Sequence, residues 1–368
     1  MLWARLGSLN SWELSSPARF WKKWLRHPPA SADTLGRVHA LLNANEFRGA
    51  IRQIYLRLKR NKALPDQNGL AVAVLDGHES HASYRRHCSG CLQRTVHRAG
   101  QERIQYYHRH VTLMLLPGAS ASGKPLRFLL DVEPQQPGED EVACALRLLT
   151  RSLQGYPRAF DVVLADALYA QAPFCNFLIH HGKHVLVVLK DQRRDIYQDC
   201  LGLMPQMVPQ TGQYRSRQCR WWDIADLRSW SEVKLPLRVV RSQETYSIQR
   251  QLDGKPETVT SEWMWVTTLP ATRVSTQHLV GLAHQRWDIE NGGFNELVSH
   301  WHGDHVYKHE GNAIECFLLE TCLAFNIFHA FWQRNLKPQL RHQRTMKFFA
   351  ELIATELRKD LVSGLSPP

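Results

Sequence analysis

Two apolar runs in this chain each close on an aspartate. Gly69 to Asp76 reads GLAVAVLD and Phe160 to Asp166 reads FDVVLAD, with the two acids 90 residues apart. A strand ending on an acid at the carboxyl edge of a sheet is where α/β folds place ligand and metal groups. Carboxylate oxygens suit hard Mg²⁺ or Mn²⁺, and two such ions clamp the attacking and leaving oxygens of a phosphodiester. Aspartate also ends strands simply as a turn residue, so either acid alone carries little. A third carboxylate, Glu290, follows in HQRWDIENGGFNEL, residues 284–297. Arg286 precedes it by four residues, which puts both side chains on one helix face, as a surface ion pair or as part of a site. Gly292 and Gly293 read as the stop of that helix, and Asp288 and Glu296 are neighbouring acids.

The elements that must position these acids follow from periodicity. After the first run, residues 104–116 and 126–132 read as two further strands, and Asp140 to Gln154 as a helix through Val142, Leu146, Leu149 and Leu153. Beyond Asp166, residues 169–181 read as a helix and 184–190 as a strand. Three strands, a helix, a strand, a helix and a strand predict a mixed sheet with helices on its faces. Residues 191–275, rich in Arg, Gln and Trp, read as a β-rich insertion with strands near 213–222, 236–249 and 262–268. Helical pattern returns at 276–335, around Glu290, and residues 336–368 hold a C-terminal helix and tail. Residues 1–65 are helical and basic. Arg19 to Trp24 interleaves aromatics with charge, and Ile51, Ile54 and Leu58 recur at helical spacing with Arg48, Arg52 and Lys59 on other faces. That helix either lies on DNA phosphates or packs by its apolar face with the basic face in water.

Composition narrows the class. Of 368 residues, 43% are hydrophobic and 22% charged, which excludes a largely disordered chain and allows one large domain with insertions or two or three small ones. A net charge of +12 points either to a polyanionic partner, nucleic acid before a membrane surface, or to a merely basic soluble protein. The most apolar window, Phe317 to Trp332, is interrupted by Glu320, Asn326 and His329, against a membrane span. The N-terminus has no apolar signal core, and eight irregularly spaced cysteines fit a reducing cytoplasm better than a disulfide framework.

One cysteine pair has ligand spacing. Cys88 and Cys91 form a C-x-x-C within a candidate knuckle at 81–110, and structural Zn²⁺ would need two more ligands from His81, His87, His97, His108 and His110. The competing reading is a reduced pair without metal. His78 and Glu79, directly after Asp76, read either as turn polarity or as helpers that bind metal or orient a water, and the run HWHGDHVYKH at 300–309 as a flank of the active site or of DNA.

LDGHE around Asp76, VVLADALYAQAPFCNFL around Asp166, and RWDIEN at 286–291 together resemble bacterial insertion-sequence transposases of the DDE type. The subgroup is the one with a β-rich insertion before the catalytic glutamate, and the likeness runs from about residue 66 to 335. The resemblance implies an RNase H-like core in which Asp76, Asp166 and Glu290 are catalytic and bind two Mg²⁺ or Mn²⁺ ions. Arg286, with Asn291 and Lys308, would contact DNA, and Trp263 or Trp265 would hold a base flipped from the cleaved end, unless these tryptophans simply pack the insertion. The activity implied is excision and strand transfer of an insertion sequence on double-stranded DNA, element ends and target, by a cytoplasmic bacterial homodimer with no membrane partner. A nuclease without strand transfer and an inactive DNA-binding remnant are the alternatives. The family's YREK signature is incomplete: its tyrosine position is Ala283 and its lysine position Leu297, with Lys308 or His300, His302 and His305 as candidate substitutes. Residues 1–65 lack a clear helix-turn-helix, so either that short segment recognises the ends or the copy is truncated.

Overall fold

The computed structural model describes residues 2–15, 21, 26–98, 100–118, 126–250 and 254–362. Apart from Trp21, the aromatic and basic stretch Arg19 to Trp24 lies outside the described residues, as does the Pro367-Pro368 tail. In chain order the helices and strands are α1 (Leu9–Leu14), α2 (Ala32–Leu41), α3 (Ala44–Arg60), β1 (Val72–Ser83), β2 (Leu92–Arg98), β3 (Gln101–Leu115), β4 (Phe128–Pro134), α4 (Glu141–Gly155), β5 (Val162–Ala165), α5 (Ala172–His180) and β6 (His184–Val188). There follow α6 (Asp195–Leu203), β7 (Gln210–Tyr214), β8 (Arg217–Leu227), β9 (Leu237–Gln249), β10 (Pro256–Thr267), α7 (Thr276–His284), α8 (Asn295–Trp301), α9 (Gly311–Arg334), α10 (Pro338–Gln343) and α11 (Met346–Val362). Apart from β2, the succession β1, β3, β4, α4, β5, α5, β6 is the mixed α/β order of an RNase H-like core.

Contacts divide the chain into two units, with the boundary inside β1 between Asp76 and Gly77. One unit holds Leu70–Asp76 and Arg158–Asp288. Here β1 and β6 both run parallel to β5, and β10 joins β6 antiparallel, followed by β9, β8 and β7. The strands of 191–275 therefore extend the sheet rather than stand apart from it, because Trp265, Val266 and Thr267 pair with Val188, Val187 and Leu186. The β1, β5 and β6 stretches are buried on both faces, which is why they read as continuous apolar runs without alternation.

The other unit holds Met1–Gly69, Gly77–Pro157 and Ile289–Pro368. The strand β2, absent from the sequence expectation, pairs antiparallel with β3 through Leu92↔Tyr107 to Arg98↔Gln101. Its outer residues are polar and exposed, so it carries almost no apolar signal of its own. Helix α4 starts at an Asp140 cap whose side chain accepts from the Ala143 N–H at 2.7 Å.

Helix α3 packs by Ile51, Tyr55 and Leu58, the apolar-face alternative. Its basic face is not all in water. Arg48 reaches inward to Asp131 (2.9 Å), the Val132 carbonyl (3.1 Å) and Glu315 (2.6 Å), and Arg151 of α4 takes the other Asp131 oxygen at 2.7 Å. Asp131 and Glu133 of β4 are both buried, so these arginines offset interior carboxylates.

Helix α9 is long and apolar enough, by length and composition, to cross a bilayer. Most of it is covered by protein, and the polar groups noted in the sequence are bonded inside. The fully buried Asn326 amide accepts from the Leu129 N–H and donates to the Leu129 carbonyl, each at 2.8 Å, and His329 meets Glu296 at 3.0 Å. These are the marks of a core helix.

Candidate active site

Asp166 stands one residue past the end of β5, at the head of a 3-10 turn over Ala167–Tyr169. Asp76 differs from the expectation of a strand end, because β1 runs on to Ser83. What ends at Asp76 is the buried part of the strand: Val72 to Leu75 are buried and Asp76 to Glu79 are half-buried. His78 and Glu79 are accordingly strand residues, not turn residues. Arg94 of β2 donates to both oxygens of Glu79 at 2.7 Å.

The register of β1 on β5 pairs Val72 with Val162, Ala73 with Val163 and Val74 with Leu164. Carried two residues past Val74↔Leu164, that register sets Asp76 level with Asp166, just beyond the end of β5, where adjacent strands are spaced about 4.8 Å. Cations stand beside both: Arg286 Nη1 is 3.4 Å from Asp76 Oδ2, and Lys190 Nζ is 3.6 Å from Asp166 Oδ1. Asp166 Oδ1 is a buried oxygen that accepts no hydrogen bond. Two level carboxylates, one with a desolvated oxygen left without a donor, form a donor set that fits a hard divalent cation.

Arg286 is buried, with 5% of its side chain exposed. Besides Asp76 it meets the face of Trp287, 4.1 Å from the ring centroid, and Trp287 is exposed. Trp287 in turn stands edge-on to Trp263 at 6.3 Å. Trp263 and Trp265, two apart on β10, stack nearly parallel at 6.1 Å, and His284 of α7 stands edge-on to both. His284 Nε2 is bonded to Glu244 at 2.6 Å, and Tyr214 stacks on its ring at 4.5 Å. Arg217 and Ser242 also donate to Glu244. Burial works to raise the Glu244 carboxyl, but His284 and Arg217 beside it hold it below the ordinary carboxylate range. Trp265 is core, 2% exposed, whereas Trp263 is half-buried with its indole N–H unpaired. Trp287 and Lys190 have no place in the sequence expectation of the site. Trp287 sits between Arg286 and Glu290 in RWDIEN, where only its residue type is legible in the sequence and its exposure belongs to the fold.

In the other unit, Glu290 is half-buried within a π-helical stretch, Ile289–Phe294, that runs directly into α8. Gly292 and Gly293 do not stop the helix. Both are buried inside it, and a side chain on Gly292 would collide with the Arg127 guanidinium, so the missing Cβ admits that arginine. A π-bulge of this kind is frequent at functional positions. Phe294 stacks on His78 at 4.6 Å, and His78 meets His110 edge-on at 5.6 Å. Burial lowers His78 and pushes His110 down to about 3, so both imidazoles are neutral at pH 7. Asn291 is exposed on the π stretch, and the exposed Lys308 lays its stem against Gly36 of α2. His300 is buried in α8 and His302 caps it in the left-handed region, φ 54°.

A second constellation lies in this unit. Cys88, Cys91, His108 and His309 converge, with their ligand atoms within 4.8 Å of one another. Of the histidines expected to complete the C-x-x-C, only His108 does so. His87 stacks on Tyr106 instead, and the fourth member, His309, comes from the run at 300–309, expected to flank the active site or DNA. No local spacing could announce a partner 218 residues beyond Cys91.

Residues 69–327, well over half the chain, match the family model of the transposase DDE domain. Among curated proteins, none matches the chain.

Proposed function

The chain belongs to the transposase DDE domain family, and from that premise we propose that it cuts and joins the ends of an insertion sequence by divalent-metal-dependent hydrolysis and transesterification of phosphodiesters. Asp76, Asp166 and Glu290 are the carboxylates that hold the metal. Bound Mg²⁺ or Mn²⁺ supplies Lewis-acid stabilisation of the attacking and leaving oxygens. The observation that carries the reading is the level register of Asp76 and Asp166, together with the buried, unbonded Asp166 Oδ1.

The remaining roles belong to this chain's own side chains. Arg286 orients Asp76 through its 3.4 Å contact, and gripping a DNA phosphate requires it to exchange Asp76 for that phosphate. Trp287 and Trp263 offer indole faces to a base displaced from the cleaved end, a stacking worth about 1–3 kcal/mol. Trp265 supports them from the core. The +12 charge favours double-stranded DNA as the substrate.

The test is cleavage of DNA carrying the element's own ends, with wild type and Asp166→Asn compared in Mg²⁺, in Mn²⁺ and without metal. Metal-dependent nicking at the element boundary, absent in the variant, is expected. Equal activity in both proteins would overturn the carboxylate assignment. Tight end binding without cleavage in either metal would replace the transposase by a DNA-binding remnant.

A further inference from the structure

We propose that Cys88, Cys91, His108 and His309 bind one structural zinc ion that fastens the chain leading into α9 onto the β2–β3 hairpin. The hairpin register runs Leu92↔Tyr107, so its next pair sets Cys91 opposite His108. Their Sγ and Nε2 atoms are 3.2 Å apart. Cys88 returns to the same point through a tight turn, in which the Cys91 N–H bonds the Cys88 carbonyl at 3.1 Å and the Cys88 N–H meets Cys91 Sγ at 3.3 Å. His309, two residues before α9, brings its Nε2 to 3.2 Å from Cys91 Sγ and 3.1 Å from His108 Nε2.

These separations can be compared with a tetrahedron. Zinc–sulfur bonds of about 2.3 Å and zinc–nitrogen bonds of about 2.0–2.1 Å imply edges of about 3.8 Å (S–S), 3.5 Å (S–N) and 3.3 Å (N–N). Five of the six edges are 3.9 Å between the sulfurs, 3.5 Å from Cys88 to His108, 3.2 Å for two further S–N edges and 3.1 Å between the nitrogens, and the sixth, Cys88 to His309, is within 4.8 Å. A disulfide is excluded by the same 3.9 Å, since bonded sulfurs lie about 2.05 Å apart. Two thiolates and two neutral imidazoles balance the charge of Zn²⁺, which suits a cluster whose Cys91 and His108 are buried. A soft S₂N₂ set selects zinc over the hard ions that carboxylates take, and four protein ligands close the shell, which makes the site structural. Binding releases the two thiol protons to solvent. The consequence is mechanical. Residues 302–310 connect the Glu290-bearing stretch and α8 to α9, and zinc pins the end of that connection to β3.

The full-length chain, purified from zinc-supplemented medium under reducing conditions, is expected to contain one zinc per chain by elemental analysis. Cys91→Ser and His309→Ala are expected to lose it, while Cys144→Ser, at a buried thiol outside the cluster, keeps it. Titration of the metal-stripped wild type with Co²⁺ alone should give the thiolate-to-cobalt and d–d absorption of a tetrahedral S₂N₂ site, which keeps the test open if a variant fails to fold. Zinc-free wild type with no such spectrum, zinc retained in a folded Cys91→Ser, or a Cys88–Cys91 disulfide would each overturn the proposal. None of these readouts requires DNA cleavage, so they stand apart from the fate of the transposase reading.

Discussion

Asp76 in β1 and Asp166, one residue past the end of the neighbouring parallel strand β5, each stand two residues past the paired Val74 and Leu164. The 90-residue separation in the sequence is the same offset that every pair in that register carries. Two like charges side by side raise each other's cost, and Arg286 and Lys190 stand where they offset it. A cation that binds both acids would gain from the same arrangement.

Asp76→Asn, Asp166→Asn and Glu290→Gln should each lower metal-dependent nicking of element-end DNA by about 10³-fold, since a metal-bound oxygen gains several kcal/mol in the transition state. Thermal unfolding should stay near that of wild type. Nicking by any of the three within tenfold of wild type would remove that residue from the metal site.

The tryptophans should separate by role. Trp287→Ala is expected to weaken binding of a displaced end base by about 1–3 kcal/mol, roughly 5- to 150-fold in Kd, without loss of stability. Trp265→Ala, which truncates a core side chain, should instead cost about 3–5 kcal/mol in unfolding free energy. Fluorescence anisotropy with a flapped end duplex and urea unfolding give the two readouts. Unchanged affinity in Trp287→Ala would remove that indole from the base contact.

Asp131→Ala should destabilise the fold by about 3–5 kcal/mol, because Arg48 and Arg151 lose the buried carboxylate that both bond. A urea midpoint equal to that of wild type would show that the network contributes no net stability.

Glu296 predicts an acid-side loss. Burial works to raise its carboxyl, but His329, His300 and the Trp301 indole around it bring it below the ordinary 4.5. A depressed folded pKa means its stabilisation is fully present above pH 4.5 and fades as pH falls through the lower folded value. The stability difference between wild type and Glu296→Gln should therefore be constant from neutral pH down to about 5 and shrink below that. A difference independent of pH down to 3 would contradict the assignment.

Much of the architecture was legible because buried strands and packed helices have periodicities of their own. GLAVAVLD, FDVVLAD and the 184–190 run are strands of the sheet, and β9 and β10 fall close to 236–249 and 262–268, whereas the single strand expected near 213–222 is a hairpin, β7 and β8, that turns between Tyr214 and Arg217. The strand β2 was not legible, because its stability comes from hydrogen bonds to β3 and not from apolar side chains. The continuation of β1 past Asp76 was hidden for the same reason: the chain leaves the core there but keeps its strand.

The linear chain carries the candidate carboxylates, their order and their family, since residue type and spacing survive in it. It also determined the mixed sheet, since burial of apolar surface imposes its period on the residues that do it. Tertiary structure alone decided that Arg286 is buried against Asp76 while Trp287 is the exposed indole beside it. It alone turned Arg48 inward to Asp131, and brought His309 to Cys88, Cys91 and His108. A contact between side chains hundreds of residues apart leaves no periodic trace, because it depends on where folded elements meet and not on what lies next to it along the chain.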